Sequence, residues 1–327
     1  MKPASSAISG ILAALLCATV NAAEPAPLVL EATLPLGDVR GRIDHLAVDL
    51  GRRRLFVAEL GNDTLGVVDL RNGRLLQSLG SLSEPQGVGY APATDELYVA
   101  NGGDGTLRVF GGEALSPRGQ VRLGEDADNV RIAGSPARIV AGYGRGGLAI
   151  VDPLTHARVA NIQLAGHPEG FQVFGGGRVL VNVPDTQEIA VVDLAAGTQI
   201  ASWPLATERG NFPLASGEGG SEAWVATRHP ARLILFEVAT GQRKVSLDSC
   251  GDADDVFVDS KRHRVHVVCG TGSIDTWELR NGQYVKLDTV ATVPGARTGL
   301  FVPELDRLFV AVRATATKSA AIWVFRP

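Results

Sequence analysis

Short apolar runs recur along the chain at nearly constant spacing. One series reads LFVAEL (Leu55–Leu60), LYVANG, RIVAGY, VLVNVP, AWVATR, VHVVCG and LFVAVR, the last being Leu308–Arg313. A short polar loop after each leads into a second run: LGVVDL, LRVFGG, LAIVDP, IAVVDL, LILFEV, IDTWEL and AIWVFR. These runs are too short for helices and rich in β-branched residues, so they predict strands. Hairpin signals such as Asn72-Gly73, Thr240-Gly241 and Asn281-Gly282 follow them, and glycine there accepts the positive φ of a tight turn. A third run, as in RLLQSL or QRKVSL, comes next, and HLAVD, GVGYA, NVRIA, GFQVF, FPLAS, DVFVD or GLFVP precedes each unit. Four strands recurring about every 42 residues, seven times over, predict an all-β, seven-bladed β-propeller with four-stranded antiparallel blades.

The two ends of the repeat are ragged in complementary ways. The seventh unit stops at its third strand, Ala321–Arg326, whereas LVLEATL (Leu28–Leu34) stands alone before the first unit. This segment is expected to complete the last blade and close the ring. Further upstream, Met1-Lys2, an apolar Ile8–Val20 and small residues at Val20-Asn21-Ala22 have the form of a secretory signal peptide. The apolar run is too short for a convincing membrane span, and Leu16 before Cys17 argues against lipid attachment. The expected division is therefore a signal peptide at 1–22 and a single propeller domain at 23–327, without a membrane span once the leader is removed.

Composition agrees with this picture. Glycine supplies 39 of the 327 residues, about 12% against a usual ~7%, as a turn-rich chain requires. With 31 basic and 35 acidic residues the net charge is −4. No basic run or basic–aromatic stripe marks a nucleic-acid partner.

The segments LFVAELGNDTLGVVDLRNG and LYVANGGDGTLRVF resemble the YVTN repeats of YncE-like bacterial periplasmic propellers, along the whole chain after the leader. GDADDVFVDSKRHRVHVVCGTGSID and GARTGLFVPELDRLFVAVR resemble a subset of that family. The resemblance implies a periplasmic location. It implies little about activity, because one fold serves many tasks.

In a propeller the residue just before each innermost strand reaches the rim of the central channel. Blade by blade it is Asp44, Gln86, Asp128, Glu169, Asn211, Asp254 and Thr298, spaced 41–44 residues apart. None is apolar. The next position adds His45, Asn129 and Asp255, and Arg42, Arg209 and Arg297 lie close by. Loops of the same face contribute Asn101, Tyr143, Arg145, Arg228, His229 and Arg313. Such a funnel is suited to a ligand, yet a solvated channel also carries polar residues, and Asp, Asn and Gly serve as turn formers. Both readings stay open. The adjacent Asp254 and Asp255 repel each other and call for a cation, either Arg297 or a metal ion.

After leader removal the chain keeps two cysteines. Cys250 precedes the innermost strand of blade six and Cys269 ends its second strand, so antiparallel pairing brings them together. In an oxidising compartment a disulfide is expected, stabilising by about 3 kcal/mol on chain-entropy grounds; a redox or metal thiol is the alternative. Cys-x-x-Cys-His is absent, which excludes covalent c-type haem. His263 and His266, expected on one strand, fall on opposite faces, His156 is expected to face solvent in a hairpin, and His45 and His167 lie near the rim. No Gly-x-Ser-x-Gly elbow or P-loop occurs.

These features favour an exported, monomeric binding or protein-interaction module. Its expected partner is a small polar ligand, a peptide or a periplasmic protein, met at an acidic channel rim, and no cofactor is required. The alternative is a divalent-metal-dependent hydrolase or lyase of the propeller lactonase type, with Glu169, Asn211 and Asp254 as oxygen ligands for Ca²⁺ or Mg²⁺.

Overall fold

The structure, a computed structural model, describes Met1 and residues 27–134 and 137–327. Apart from Met1, the leader assigned to residues 1–22 lies outside the described residues. Seven antiparallel sheets follow one another around a ring, with strands in chain order from the axis outwards in the first six. Blade one is Leu46–Asp49, Arg54–Glu59, Thr64–Asp69 and Arg74–Leu79. The described residues contain short 3₁₀ turns but no α-helix.

The last blade joins the two ends of the chain. Its strands run Gly299–Val302, Arg307–Val312 and Ala321–Arg326 outwards, and the fourth position is taken by Val29–Pro35. Val29 lies opposite Arg326 and Pro35 opposite Ala321. The closing strand begins one residue later than the sequence suggests. Glu31 fastens it further, pairing with Arg307 at 2.7 Å and Arg326 at 2.6 Å.

Burial explains the different look of the four strands. Second and third strands are sandwiched between neighbouring blades, so both faces are apolar, as in Leu55–Ala58 and Leu65–Val68. Fourth strands lie at the outer edge and are largely exposed, as in Arg74–Leu79. The core is a series of layers between blades. Phe56, Leu65 and Val67 of blade one pack against Val88, Leu97 and Val99 of blade two. Leu34 and Leu36 meet Phe309, Ile322 and Val324 at the closing seam. Each fully buried Leu or Phe contributes about 1.5–3 kcal/mol, and Trp224 meets Tyr284 edge-on at 4.8 Å.

The aspartate ending several third strands is a turn device. Asp193 Oδ1 accepts from the backbone N–H groups of Ala195 (2.8 Å) and Ala196 (2.9 Å), and Asp152 Oδ1 does the same for Leu154 and Thr155. Asn281 and Gly282 both have positive φ, 50° and 78°, as a type I′ hairpin requires.

Two strands depart from the repeat. In blade five only Leu214–Ser216 forms the innermost strand, because Pro213 has no N–H for the ladder; its carbonyl accepts from the Ala226 N–H at 3.4 Å and from Asn182 Nδ2 at 3.0 Å. In blade six the fourth strand is broken into Gln283–Lys286 and Val290–Ala291, both paired with Ser273–Arg280. Between the pieces Thr289 turns its hydroxyl to Asp275 at 2.7 Å.

Cys250 and Cys269 form the disulfide, with their Cα atoms 6.0 Å apart. No helix among the described residues is long and apolar enough to cross a membrane.

Removing residues 29–35 is expected to leave Ala321–Arg326 as an open, apolar edge. The shortened chain should lose its single cooperative melt and associate on size-exclusion chromatography. A monomer melting like the full chain would show that the ring is closed in another way.

Candidate functional site

At one end of the channel the innermost strands converge on a cavity of about 220 Å³. Asp44, His45, Gln86, Asp128, Asn129, Glu169, Asp254, Asp255 and Arg297 all line it. The sevenfold position therefore brings most of its members together. It does not bring all of them. Asn211 is fully buried between blades, its Nδ2 donating to Asn182 Oδ1 (3.1 Å) and the Glu188 carbonyl (2.9 Å). Thr298 is buried as well and donates to the Ile43 carbonyl at 3.3 Å. Neither lines the cavity; each donates a hydrogen bond between blades instead.

The metal-ligand set expected from the sequence, Glu169, Asn211 and Asp254, is accordingly not assembled. Asn211 faces the blade interior, and Asp254 is held by two arginines. Its Oδ1 lies 2.5 Å from Arg228 Nη2 and its Oδ2 2.9 Å from Arg297 Nε. Asp252, in the loop just before the Ala253–Asp259 strand, joins the same network at 3.3 Å from Arg228 and 3.2 Å from Arg297. Its φ of 57° is one that Asp tolerates better than most residues. Arg228 also stacks over the Phe212 ring at 3.8 Å, a favourable cation–π geometry. Asp255 accepts from the Gly299 N–H at 2.7 Å.

In blade one, the buried Asp44 carboxylate is clamped between Arg42 (2.7 Å) and His45 Nδ1 (2.9 Å). His167 Nδ1 bonds to the Gly144 carbonyl at 2.6 Å, and its Nε2 points towards Asp128 Oδ2 at 3.8 Å. Gln86 donates to Asp126, which shares the lining, at 3.0 Å.

The sequence reading missed Arg131, Asp126 and the apolar patch of Phe212, Pro213 and Leu214. A signal for Arg131 was present. Alternate residues of a strand share a face, so Asn129 on the channel implies Arg131 beside it. The chemistry is consequently mixed. Six carboxyl side chains face four guanidinium groups and two imidazoles, where the sequence suggested an acidic rim.

Other expected contributors lie elsewhere. Asn101 is buried and donates to the Val99 carbonyl at 3.0 Å. Tyr143 donates to Asn161 at 2.8 Å. Arg145, Arg209 and His229 are exposed, outside the lining. Arg313 also stays outside, although burial and the charges of Arg297 and Arg42 lower its pKa. His156 does not face open solvent but pairs with Glu96 at 3.0 Å. His263 sits in a turn before the strand, bound to Glu218 at 2.7 Å. His266 is fully buried, and burial holds its pKa down at about 4.

Burial and charge shape the titration of the cavity. Burial opposes charge on His45, but the Asp44 hydrogen bond and the charges of Asp44, Asp128 and Asp255 outweigh it and raise its pKa to about 9. Burial raises Asp255 to about 7, with Asp254 adding to it against the pull of His45. Burial, then Asp128, raises Glu169 to about 8.

No protein-family model matches the chain, and no curated protein matches it. Among solved structures the chain is similar to one titled Kuenenia stuttgartiensis Hydrazine Synthase. The two are 13% identical with a TM-score of 0.76, over 91% of this chain and 97% of that one. At that identity the likeness carries the fold alone. The chain is a seven-bladed β-propeller.

A group that keeps its proton in the folded state after the unfolded chain has lost it makes stability fall as pH rises. For Asp255 the window runs from the usual carboxylate range, about 3.9, to about 7. For His45 it runs from 6.5 to about 9. Stability measured by urea denaturation should therefore fall between pH 5 and 9. Asp255→Asn should flatten the acidic half of that fall and His45→Gln the basic half. Variants with the wild-type slope in both halves would contradict these assignments.

Proposed function

We propose that the chain is an exported binding module of the YncE-like kind, taking a small anion-bearing ligand at the axial cavity. The observation that carries this reading is Arg131. Arg42, Arg228 and Arg297 are each paired with aspartates, whereas Arg131 makes no ion pair among the described residues. Its Nη1 donates to the Val130 carbonyl at 2.9 Å, and the guanidinium lies 5.5 Å from the Phe171 ring. A half-buried guanidinium with unused donors matches a carboxylate or a similar planar anion.

The cavity supports a small ligand or a terminal group. At about 220 Å³ it falls below the ~300–1,000 Å³ of sites for drug-sized molecules. Phe212 and Leu214 offer an apolar contact beside the charges. The disulfide supports export, since such bonds persist in oxidising compartments. The YVTN-type repeats support the periplasm as the place.

Thermal-shift measurements with acetate, succinate, citrate and glutamate test the reading. At least one should raise Tm by about 2 °C or more at a large excess, and Arg131→Gln should abolish the rise. No response to any of the four, or a response that survives Arg131→Gln, would remove the anion-binding assignment.

A further inference from the structure

We propose that Asp128, His167 and Glu169 form a divalent-metal site on the wall of this cavity. The inference deepens the binding reading, on which it rests, by adding a cation as part of the ligand-binding surface. It uses a different set of residues from the oxygen-only set that the sequence suggested.

Three observations support it. One oxygen of Asp128, one of Glu169 and one ring nitrogen of His167 all lie within 4.8 Å of one another. The imidazole is also fixed in the orientation a ligand needs. Its Nδ1 is 2.6 Å from the Gly144 carbonyl, which can only accept, so Nδ1 carries a proton and the lone pair of the neutral ring falls on Nε2. Metal-bound histidines are typically held through their other ring nitrogen in this way. That Nε2 faces Asp128 Oδ2 at 3.8 Å, too far for a hydrogen bond.

The third observation concerns unpaired oxygens. Asp128 is 7% exposed, and its Oδ1 has no hydrogen-bond partner among the described residues. Asn129, only 1% exposed, has an unpartnered Oδ1 as well, and both residues line the cavity. A buried oxygen without a donor is costly unless a cation or ligand faces it. Asp44 also has oxygens outside hydrogen-bond geometry, but cationic side chains already face it and Asp254 at close range, so no metal is needed there.

The donor set also points to the kind of ion. One imidazole with two carboxylates suits a borderline ion such as Zn²⁺ or Mn²⁺ better than Ca²⁺, which prefers oxygen throughout. Three protein ligands leave a coordination position open towards the cavity. An anion entering there meets the metal ion and Arg131 in the same space.

The test uses EDTA-treated, dialysed protein in a buffer free of carboxylates, titrated calorimetrically with Zn²⁺ and separately with Ca²⁺. The expected result is one Zn²⁺ per chain, bound more tightly than Ca²⁺. Asp128→Asn, His167→Gln and Glu169→Gln should each weaken Zn²⁺ by at least about tenfold, the lower end of what even an outer-shell partner costs. His263→Gln, on the surface, should leave the affinity unchanged. Melting curves of the metal-free variants identify any that fail to fold, and the other variants then decide. Absence of stoichiometric Zn²⁺ binding, or equal affinity in all folded variants, would overturn the proposal. The response to carboxylates is measured on metal-free protein, so either assignment can fail while the other stands.

Discussion

Seven copies of one strand position are arrayed around a single axis, and the charges gathered there must compensate one another. Each blade is stable because its second and third strands are buried between neighbours, which fixes where its innermost strand begins. The side chain at that point has no choice of environment. Where it bears a carboxylate, as at Asp44 and Asp254, arginine or histidine comes to meet it. Where it is neutral, as at Asn211 and Thr298, it is absorbed into hydrogen bonds between blades. The cavity is what remains between these two solutions.

The compensation is uneven around the ring. One side is closed by two arginines bridging Asp252 and Asp254. That network is surrounded by fixed geometry, since a Cβ at Gly270 would lie 1.9 Å from the Asp252 carboxylate. A larger residue there, directly after the disulfide-bonded Cys269, would push the Asp252 carboxylate out of its place. The other side, at Asp128, His167 and Glu169, is looser and keeps unpartnered oxygen. A preorganised, satisfied half and an open half make a surface with direction, one that orients a ligand as well as holding it.

The fold was legible in the chain to a degree the site was not. Strand periodicity, hairpin glycines and the orphan segment LVLEATL together specify seven blades and their closure, because each is a local pattern copied many times. The rim was legible in position, since a 41–44-residue spacing survives any change of residue type. What each rim residue does depends on partners far away in the chain. Nothing near Asn211 announces Asn182, 29 positions upstream, as its partner. Arg228, outside the rim series, reaches Asp254 from the neighbouring blade. Arg131 was hidden for a simpler reason. A charged residue inside the otherwise apolar run NVRIA looks like an edge position until the channel is recognised as its surroundings.

The closing strand sets the order in which the molecule can be assembled. Contacts within blades one to six are made between hairpin neighbours, and each of those sheets can form from its own stretch of chain. The seventh cannot, for Val29–Pro35 must find Ala321–Arg326 at the opposite end. The entropy of joining ends so distant rises only slowly with length, but such long-range pairing is slow to form. Until it does, the arc of blades stays open and the innermost strands are not yet held at their final radius. The cavity, with its opposed charges from blades one and six, is therefore a property of the finished circle alone. It draws its lining from blades all around the ring and is complete only when the ring is.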